Sequence, residues 1–512
     1  MWMTIGIVLG ILVLTAIYDL LQKKHAILRN FPVLGHFRYL FELIGPELRQ
    51  YIVAANNEER PFNRDQRWWV YASAKKQNNY FGFGTDNDLE QSPNHLIIKQ
   101  SMFPLPEIRK GQPGYDELHS IPCAKILGEF RGRKHAFRPA SVINVSAMSY
   151  GSLSAPAVEA MNRGCAISKC LHNTGEGGIS DHHDHGAGLI WQIGTGYYGC
   201  RDEAGNFNLS LFKECIDRRP VKAIEIKLSQ GAKPGMGGVL PSAKITPEIS
   251  KIRAVPMGQN CISPSSHSTF SDVDSMLDWI EMLADETGLP VGVKSAVGQI
   301  EFWKELSEKM ATTNRGVDFI AIDGGEGGTG AAPLTFSDHV AMPYKLGFVR
   351  VYQEFFEREI HNNLLFVGSG KLGFPAESAM AFTLGCDMVH VAREAMMAVG
   401  CIQAQICQTG HCPTGVATQS KWLMRGLDPT DKAARMANYI VALRKELLQL
   451  SHVCGAVHPS LLTPEQCEVL DERYGSQTVR EVFRLPGDST WGLPTHDQAR
   501  QITEMMQAAA SA

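Results

Sequence analysis

The sequence predicts an α/β fold, a (β/α)8 TIM barrel with insertions, preceded by an N-terminal transmembrane helix and an extension and followed by a C-terminal tail. Three observations lead there. From about residue 140, short apolar runs alternate with helix-length segments. The runs are nearly continuous in apolar residues, as strands buried on both faces must be. About eight such units over roughly 310 residues suit a barrel. A doubly wound open sheet is the alternative, weakened because no G-x-G-x-x-G follows a first strand.

The elements follow in order. Met1 to Tyr18 carries no charged side chain, Asp19 closes the run, and Lys23, Lys24 and Arg29 follow. Eighteen residues at about 1.5 Å rise cover about 27 Å, close to the hydrocarbon thickness of a bilayer. No positive charge precedes the run and no small-residue cleavage site follows it, so a retained anchor is expected rather than a signal peptide. The basic residues on its carboxyl side predict a single-pass membrane protein with the bulk of the chain facing the cytoplasm. Residues 25–90 mix aromatic and basic side chains, which suits either the membrane surface or a packed extension.

The expected strands are 142–149, 221–229, 290–297, 317–325, 364–371 and 388–393, with shorter ones near 171–177 and 189–195. Helices are expected at 154–169, 272–286 and 375–385. The division is an anchor at 1–22, an N-terminal extension at 23–135, a barrel domain at 136–454 with a cysteine loop at 401–412, and a C-terminal extension at 455–512. No fixed-period repeat is present.

Composition narrows the class. Of 512 residues, 44% are hydrophobic and 20% charged, which excludes an intrinsically disordered chain. A net charge of −4 without a basic block argues against nucleic acid as a partner. The 12 cysteines are too dilute for a disulfide scaffold. The 48 glycines show no strict period. Many fall at the ends of predicted strands, in MSYGSLS, NTGEGG, KLSQGAKPGMGG and DGGEGGTG. Chemistry in a barrel sits in those loops, and glycine lets backbone N–H groups approach a phosphate or a flat ring. A bound phosphorylated cofactor is therefore expected, against the plainer reading of turns alone.

Three cysteines are grouped in GCIQAQICQTGHCPTGVATQ: Cys401, Cys407 and Cys412. Thiolates so spaced on a turn-rich segment can converge on one soft metal centre. An iron–sulfur centre with three cysteine ligands, zinc with His411 as fourth ligand, and three small buried hydrophobes all remain open on spacing alone.

With MSYGSLS, NTGEGG, IKLSQGAKPG, EGGTGAAPL and GC-x5-C-x4-CPTGVATQ in order over about residues 140–420, the sequence resembles the FMN-binding synthase domain of the glutamate synthase family. The resemblance is to its short, stand-alone form, without the amino-terminal glutamine amidotransferase domain or the long carboxyl-terminal β-helical domain. It implies FMN in the glycine loops and a [3Fe–4S] cluster on Cys401, Cys407 and Cys412. The implied reaction is reductive amination of 2-oxoglutarate to glutamate, by hydride transfer to 2-iminoglutarate. Ammonia would come from solution or a partner such as an amidotransferase, and electrons from a donor subunit.

The resemblance also implies residue roles. Lys227 and Lys233, flanking the SQGA turn, would serve catalysis, with Lys233, Arg253 and Ser271 on the substrate. Flavin contacts would come from Met148, Ser149, Gly151, Lys227, Gln230, Lys294, Gly327 and Gly328. The phosphate would lie where Gly368, Gly370 and Lys371 meet Ala392 and Arg393, the latter pair replacing the Gly-Thr of the family. For each lysine the plain alternative is a solvated rim residue. Glu176 could relay a proton. For it and Glu326 the alternative is a carboxylate bonding loop N–H groups. Met236 and Val239 stand where the family has a carboxylate and an amide, which bears on substrate identity. Two other functions stay open: an FMN oxidoreductase acting on a different amino acid or amine, for example in N-methylglutamate-type synthesis, and a membrane-tethered electron-transfer subunit.

Overall fold

A computed structural model describes residues 2–90, 92–487 and 490–511. The chain divides into two compact units at Arg67.

The first unit is helical. Its helix Trp2–Leu21 has a hydropathy of 2.2 and is long and apolar enough to cross a membrane, by length and composition. Its apolar side chains are exposed, and its one buried residue is Asp19. The Asp19 carboxylate accepts the Val33 N–H at 2.9 Å and bonds His36 Nε2 at 2.9 Å. That fixes the turn into the helix Gly35–Leu48, which exposes Phe37, Phe41 and Leu43.

The second unit contains a closed barrel of eight strands, β1 (Ile143–Val145), β2 (His172–Asn173), β3 (Leu189–Ile193), β4 (Val221–Lys227), β5 (Val291–Ser295), β6 (Phe319–Asp323), β7 (Leu365–Ser369) and β8 (Met388–Val391). Neighbours in sequence are neighbours in the barrel, every pair is parallel, and β8 closes onto β1 through Val389–Ile143 and Val391–Val145. All eight expected strands are present. Each ends earlier than its apolar run, because the run's last residues leave the ladder and form the mouth.

The helices are stopped by local chemistry. Ser154 caps Ala155–Ser168 by accepting the Ala157 N–H, with Pro156 in the first turn. Asp272 and Ser275 form a capping box on Val273–Thr287, which ends at Gly288 with φ 70°. The expected 375–385 helix spans Pro375–Thr383. Gly164 lets Ala155–Ser168 lie against the long helix Pro429–Val453, since a Cβ there would stand 2.5 Å from Met436 Cβ. Outside the barrel, Leu96–Ile98 pairs antiparallel with Cys467–Leu470, joining the stretch before the barrel to the stretch after it. The carboxyl-terminal segment packs on the barrel through Trp491, buried with its Nε1 donating to Leu384 O at 3.2 Å.

Candidate active site at the carboxyl ends of the strands

Lys227 is the last residue of β4. Its Nζ donates to Glu176 Oε1 at 2.6 Å and Gln230 Oε1 at 2.7 Å. Glu176 comes from the glycine loop after β2, and Gly238 presses on it: a Cβ there would fall 2.7 Å from Glu176 Oε1. Burial alone would raise the Glu176 carboxyl, but Lys227, Arg253 and Lys233 outweigh it and hold it below the usual carboxylate range. Lys233 is buried, and its ammonium makes no hydrogen bond or ion pair among the described residues. Burial, then the like charge of Lys227, pushes it below the ordinary lysine value against the pull of Glu176.

Arg253 closes the helix Pro247–Arg253 and turns its guanidinium inward. Nη2 donates to Tyr150 O at 3.0 Å and Ser149 Oγ at 3.4 Å, while the buried Nε has no partner among the described residues. The guanidinium lies 5.1 Å from the Tyr198 ring centre. Gly177 must be glycine, since a Cβ would stand 2.7 Å from Arg253 Nη2 and 2.9 Å from Ser149 Cβ. The MSYGS and NTGEGG loops, Lys227, Lys233 and Arg253 are thus one cluster, although Met148 to Arg253 spans over a hundred residues. Gly151, at φ 103°, takes a backbone conformation that a side chain would strain.

A second group lines the barrel beneath the loops. Lys294 on β5 pairs with Asp323 at the end of β6, Nζ to Oδ1 3.5 Å, and Asp323 Oδ2 accepts the Gly231 N–H at 2.8 Å. Gly231 packs so closely on the next loop that a Cβ would fall 1.8 Å from Gly324 O. Deeper in, Glu225 Oε1 accepts Asn173 Nδ2 at 2.8 Å and Gln192 Nε2 at 2.6 Å, while Oε2 has no partner among the described residues. Burial raises the Glu225 carboxyl. His390 on β8, buried with Nε2 unpartnered, is pushed down to about 3 by burial and then by Lys294. Barrel interiors are commonly filled with branched apolar layers, so this polar layer marks the functional end. Sequence reasoning missed Asp323, Glu225, His390 and Tyr198. Glu225 had a signal: a carboxylate inside the apolar strand VKAIEIK, two residues before Lys227 and therefore on the same face.

The third group lies after β7 and β8. Arg393 Nη2 donates to the Glu326 carbonyl, and a Cβ on Gly328 would stand 2.6 Å from Arg393 Cδ. Gly327 belongs to the same turn, its N–H bonding Gly324 O at 2.9 Å. The Glu326 carboxylate accepts the Tyr344 N–H at 2.8 and 3.1 Å, as a loop-bonding carboxylate should, and burial raises it. Glu176 differs, being spent on Lys227. Gly370 has φ 154° and Lys371 the left-handed value 54°, which turn the backbone after β7 toward this loop, and Ala392 caps the short helix Arg393–Ala398.

Three of the residues singled out by the sequence are exposed, Ser271, Met236 and Val239. Ser271 is exposed, and its hydroxyl donates to Asp272 Oδ2 at 3.4 Å. The capping turn of Val273–Thr287 claims it, so it is not brought to Lys233 or Arg253. Met236 and Val239 are 36% and 37% exposed, and Gly238 between them packs on Glu176.

The cysteine loop gathers its thiols without closing them. Lys244 Nζ donates to Cys407 O at 2.9 Å and Ala417 O at 3.0 Å, and Gly410 turns the chain at φ 76°. Burial raises Cys401 to about 12, and Cys407 and Cys412 push it the same way. Burial, then Cys412, raises Cys407. At Cys412 burial is outweighed by backbone N–H groups, led by Ala417, and the thiol is lowered. The three are electrostatic neighbours. Among the described residues, no group of three His, Cys, Asp or Glu side chains stands close enough to hold a metal ion.

Residues 129–456 match the conserved region in glutamate synthase. The chain belongs to the glutamate synthase family. It is similar to the glutamate synthase large subunit-like protein YerD of Bacillus subtilis, 37% identical over 488 residues, with 89% of this chain and 92% of that protein covered. It is also similar to the archaeal glutamate synthase [NADPH] of Methanocaldococcus jannaschii, 34% identical over 319 residues, covering 61% of this chain and 59% of that one. This glutamate synthase-like chain therefore spans less than two thirds of the archaeal relative's length. Among solved structures, a flavocytochrome b2 variant with pyruvate bound aligns over 88% of this chain and 95% of that chain at TM-score 0.44 and 13% identity. The closed strand pairing, not that likeness, establishes the barrel. As a member of the family the protein is an oxidoreductase of the glutamate synthase type.

Proposed function

We propose that this protein binds FMN in the barrel mouth and catalyses reductive amination of 2-oxoglutarate to glutamate, with ammonia from solution or a partner subunit. The observation that carries the reading is a cluster of three cations, Lys233, Lys227 and Arg253, faced by the single carboxylate of Glu176, with Lys233 making no hydrogen bond among the described residues. Three cations against one carboxylate leave the cluster with excess positive charge, so it fits an anionic guest. FMN fits by the same test. Lys294, Lys371 and Arg393 add positive charge around glycine turns against Asp323 and Glu326, and His390 Nε2 and Glu225 Oε2 are buried and unpartnered beneath.

FMN, when bound, supplies the hydride. The rest is the work of the chain. Lys233 and Arg253 hold carboxylates of the substrate, replacing water with fixed donors. Lys227 holds Glu176 Oε1 as an oriented carboxylate able to take or return a proton. Lys294 sets positive charge against the cofactor where negative charge develops. Cys401, Cys407 and Cys412 are the soft thiolate donors that a [3Fe–4S] cluster would take, and holding one would require the loop to draw the three sulfurs together, since they do not stand close enough in this arrangement. No step here depends on it. Cys407→Ser should lose iron and the broad visible absorption of an iron–sulfur centre while keeping most of its flavin; unchanged iron content would dismiss the cluster.

A second reading keeps the cofactors and changes the substrate to another amino acid or amine, favoured by the exposed apolar Met236 and Val239 over Glu176. The deciding experiment is chemical reduction of the purified protein without air, followed by addition of 2-oxoglutarate plus ammonium. Flavin reoxidation supports the first reading, and reoxidation only by another keto acid–amine pair supports the second. Reoxidation by none of them would leave an electron-transfer subunit. Protein without flavin would overturn all three. The hydropathy of Trp2–Leu21 supports a single-pass membrane anchor, and Lys23, Lys24 and Arg29 on its carboxyl side support a barrel on the cytoplasmic side.

A further inference from the structure

The helix Ala155–Ser168 ends in a turn that places two thiols together. Lys169 takes the left-handed conformation at φ 56°. The Cys170 N–H bonds Cys165 O at 3.0 Å, and the Lys169 N–H bonds Ala166 O at 3.4 Å. That paired pattern brings the side chains three before and two after the helix end into contact. Here those side chains are Cys165 and Cys170, both buried and both free thiols. Ser168 Oγ adds a contact to Cys170 Sγ at 3.3 Å.

The packing opposite is unusual. Arg444, on the helix Pro429–Val453, is fully buried, and none of its three guanidinium nitrogens has a hydrogen-bond partner among the described residues. Burial disfavours its charge, and the groups that favour it are Cys170 and then Asp116. Cys170 responds in kind. The facing Cys165 thiol, then Ser168, then Arg444 favour its thiolate against burial, while burial raises Cys165. Ser168 Oγ and the unpartnered Arg444 guanidinium both stand on the Cys170 side of the pair, so Cys170 is placed as the nucleophile and Cys165 as the thiol that can resolve it.

We propose that Cys165 and Cys170, with Arg444 beside them, form a redox modification site that closes to a disulfide on meeting hydrogen peroxide. The Cys170 sulfur attacks one peroxide oxygen. The S–O bond forms, the O–O bond breaks, and the departing hydroxide takes a proton and leaves as water. The Cys165 sulfur then attacks the Cys170 sulfur, the S–S bond forms, and the S–O bond breaks. A second water leaves with the Cys165 proton. The dithiol gives up two electrons, and the peroxide is reduced to two waters. Burial suits a small oxidant and excludes bulky ones. The turn leads directly into β2, whose Asn173 bonds Glu225 and whose following loop carries Glu176. The modification therefore lies at the root of the active-site loop.

Lys169 lies between the two cysteines, so trypsin separates them and the disulfide reads as a linked pair of peptides. The full-length protein is treated with hydrogen peroxide, unfolded in an alkylating agent, digested and analysed by mass spectrometry. Residues 164–169 should be found joined to residues 170–201, and the pair should fall apart on reduction. Cys170→Ser should abolish the link, which separates it from any bond made by Cys200 in the same peptide. Arg444→Met removes an unpaired buried charge and keeps the volume, so it should fold. It should slow disulfide formation by about tenfold or more. Oxidation elsewhere with no 165–170 link, or an unchanged rate in Arg444→Met, would overturn the proposal.

Discussion

Lys233 and Glu176 show opposite sides of one balance at the residue scale. Lys233 is charged at a cost, because its folded value is lowered by burial and by Lys227. The unfolded chain then binds the proton more readily, so this residue's penalty is relieved as pH rises from the folded value toward the ordinary lysine value. Lys233→Met should raise the melting temperature of the cofactor-free protein by a few degrees, about what 1 kcal/mol gives in a large domain. It should also weaken 2-oxoglutarate use at least about tenfold, as a lost charged contact does. Reduced melting temperature together with unchanged kinetics would contradict this. Glu176 runs the other way. Its folded value is depressed, so its contribution is present above the unfolded carboxylate value and is lost as pH falls through the folded one. Glu176→Gln leaves Lys227 without its anion and should cost about 3 kcal/mol in denaturant unfolding at neutral pH. The loss should shrink in acid.

Helix contacts were legible as elements but not as fits. The stretch 154–169 carries Ser, Pro and an apolar pattern, so its start and length could be read. That Gly164 serves as a contact point on Met436 depends on a helix 265 residues later. Gly164→Ala should overpack that crossing and cost about 1–3 kcal/mol, measured by thermal or denaturant unfolding, although alanine is the better helix former. A stabilised variant would show that the two helices can separate without strain. The strands were legible for a related reason: buried parallel strands read as continuous apolar runs. Their ends were overrun because the residues that leave the ladder, such as Ala296 and Val297, are as apolar as those inside it.

Across the whole molecule, the anchor remains a proposal that one fractionation tests. Deleting residues 1–22 should move the protein from the membrane pellet to the supernatant with the barrel intact, followed by blotting and by flavin content. Persistent pelleting would assign the tether to the aromatic-basic stretch or to a partner.

The order of strands and helices, the glycine-rich mouth and the lysines at the SQGA turn were determined by the sequence alone, since each depends on neighbours within a few residues. Which charges meet was decided only by the tertiary structure. Glu176 on Lys227 rather than on loop N–H groups, Ser271 in a helix cap, Glu225 and His390 beneath the mouth, and Arg444 facing two thiols all depend on segments far apart in the chain. Local periodicity carries no information about such pairs, because their energies exist only once the barrel has closed and water has left.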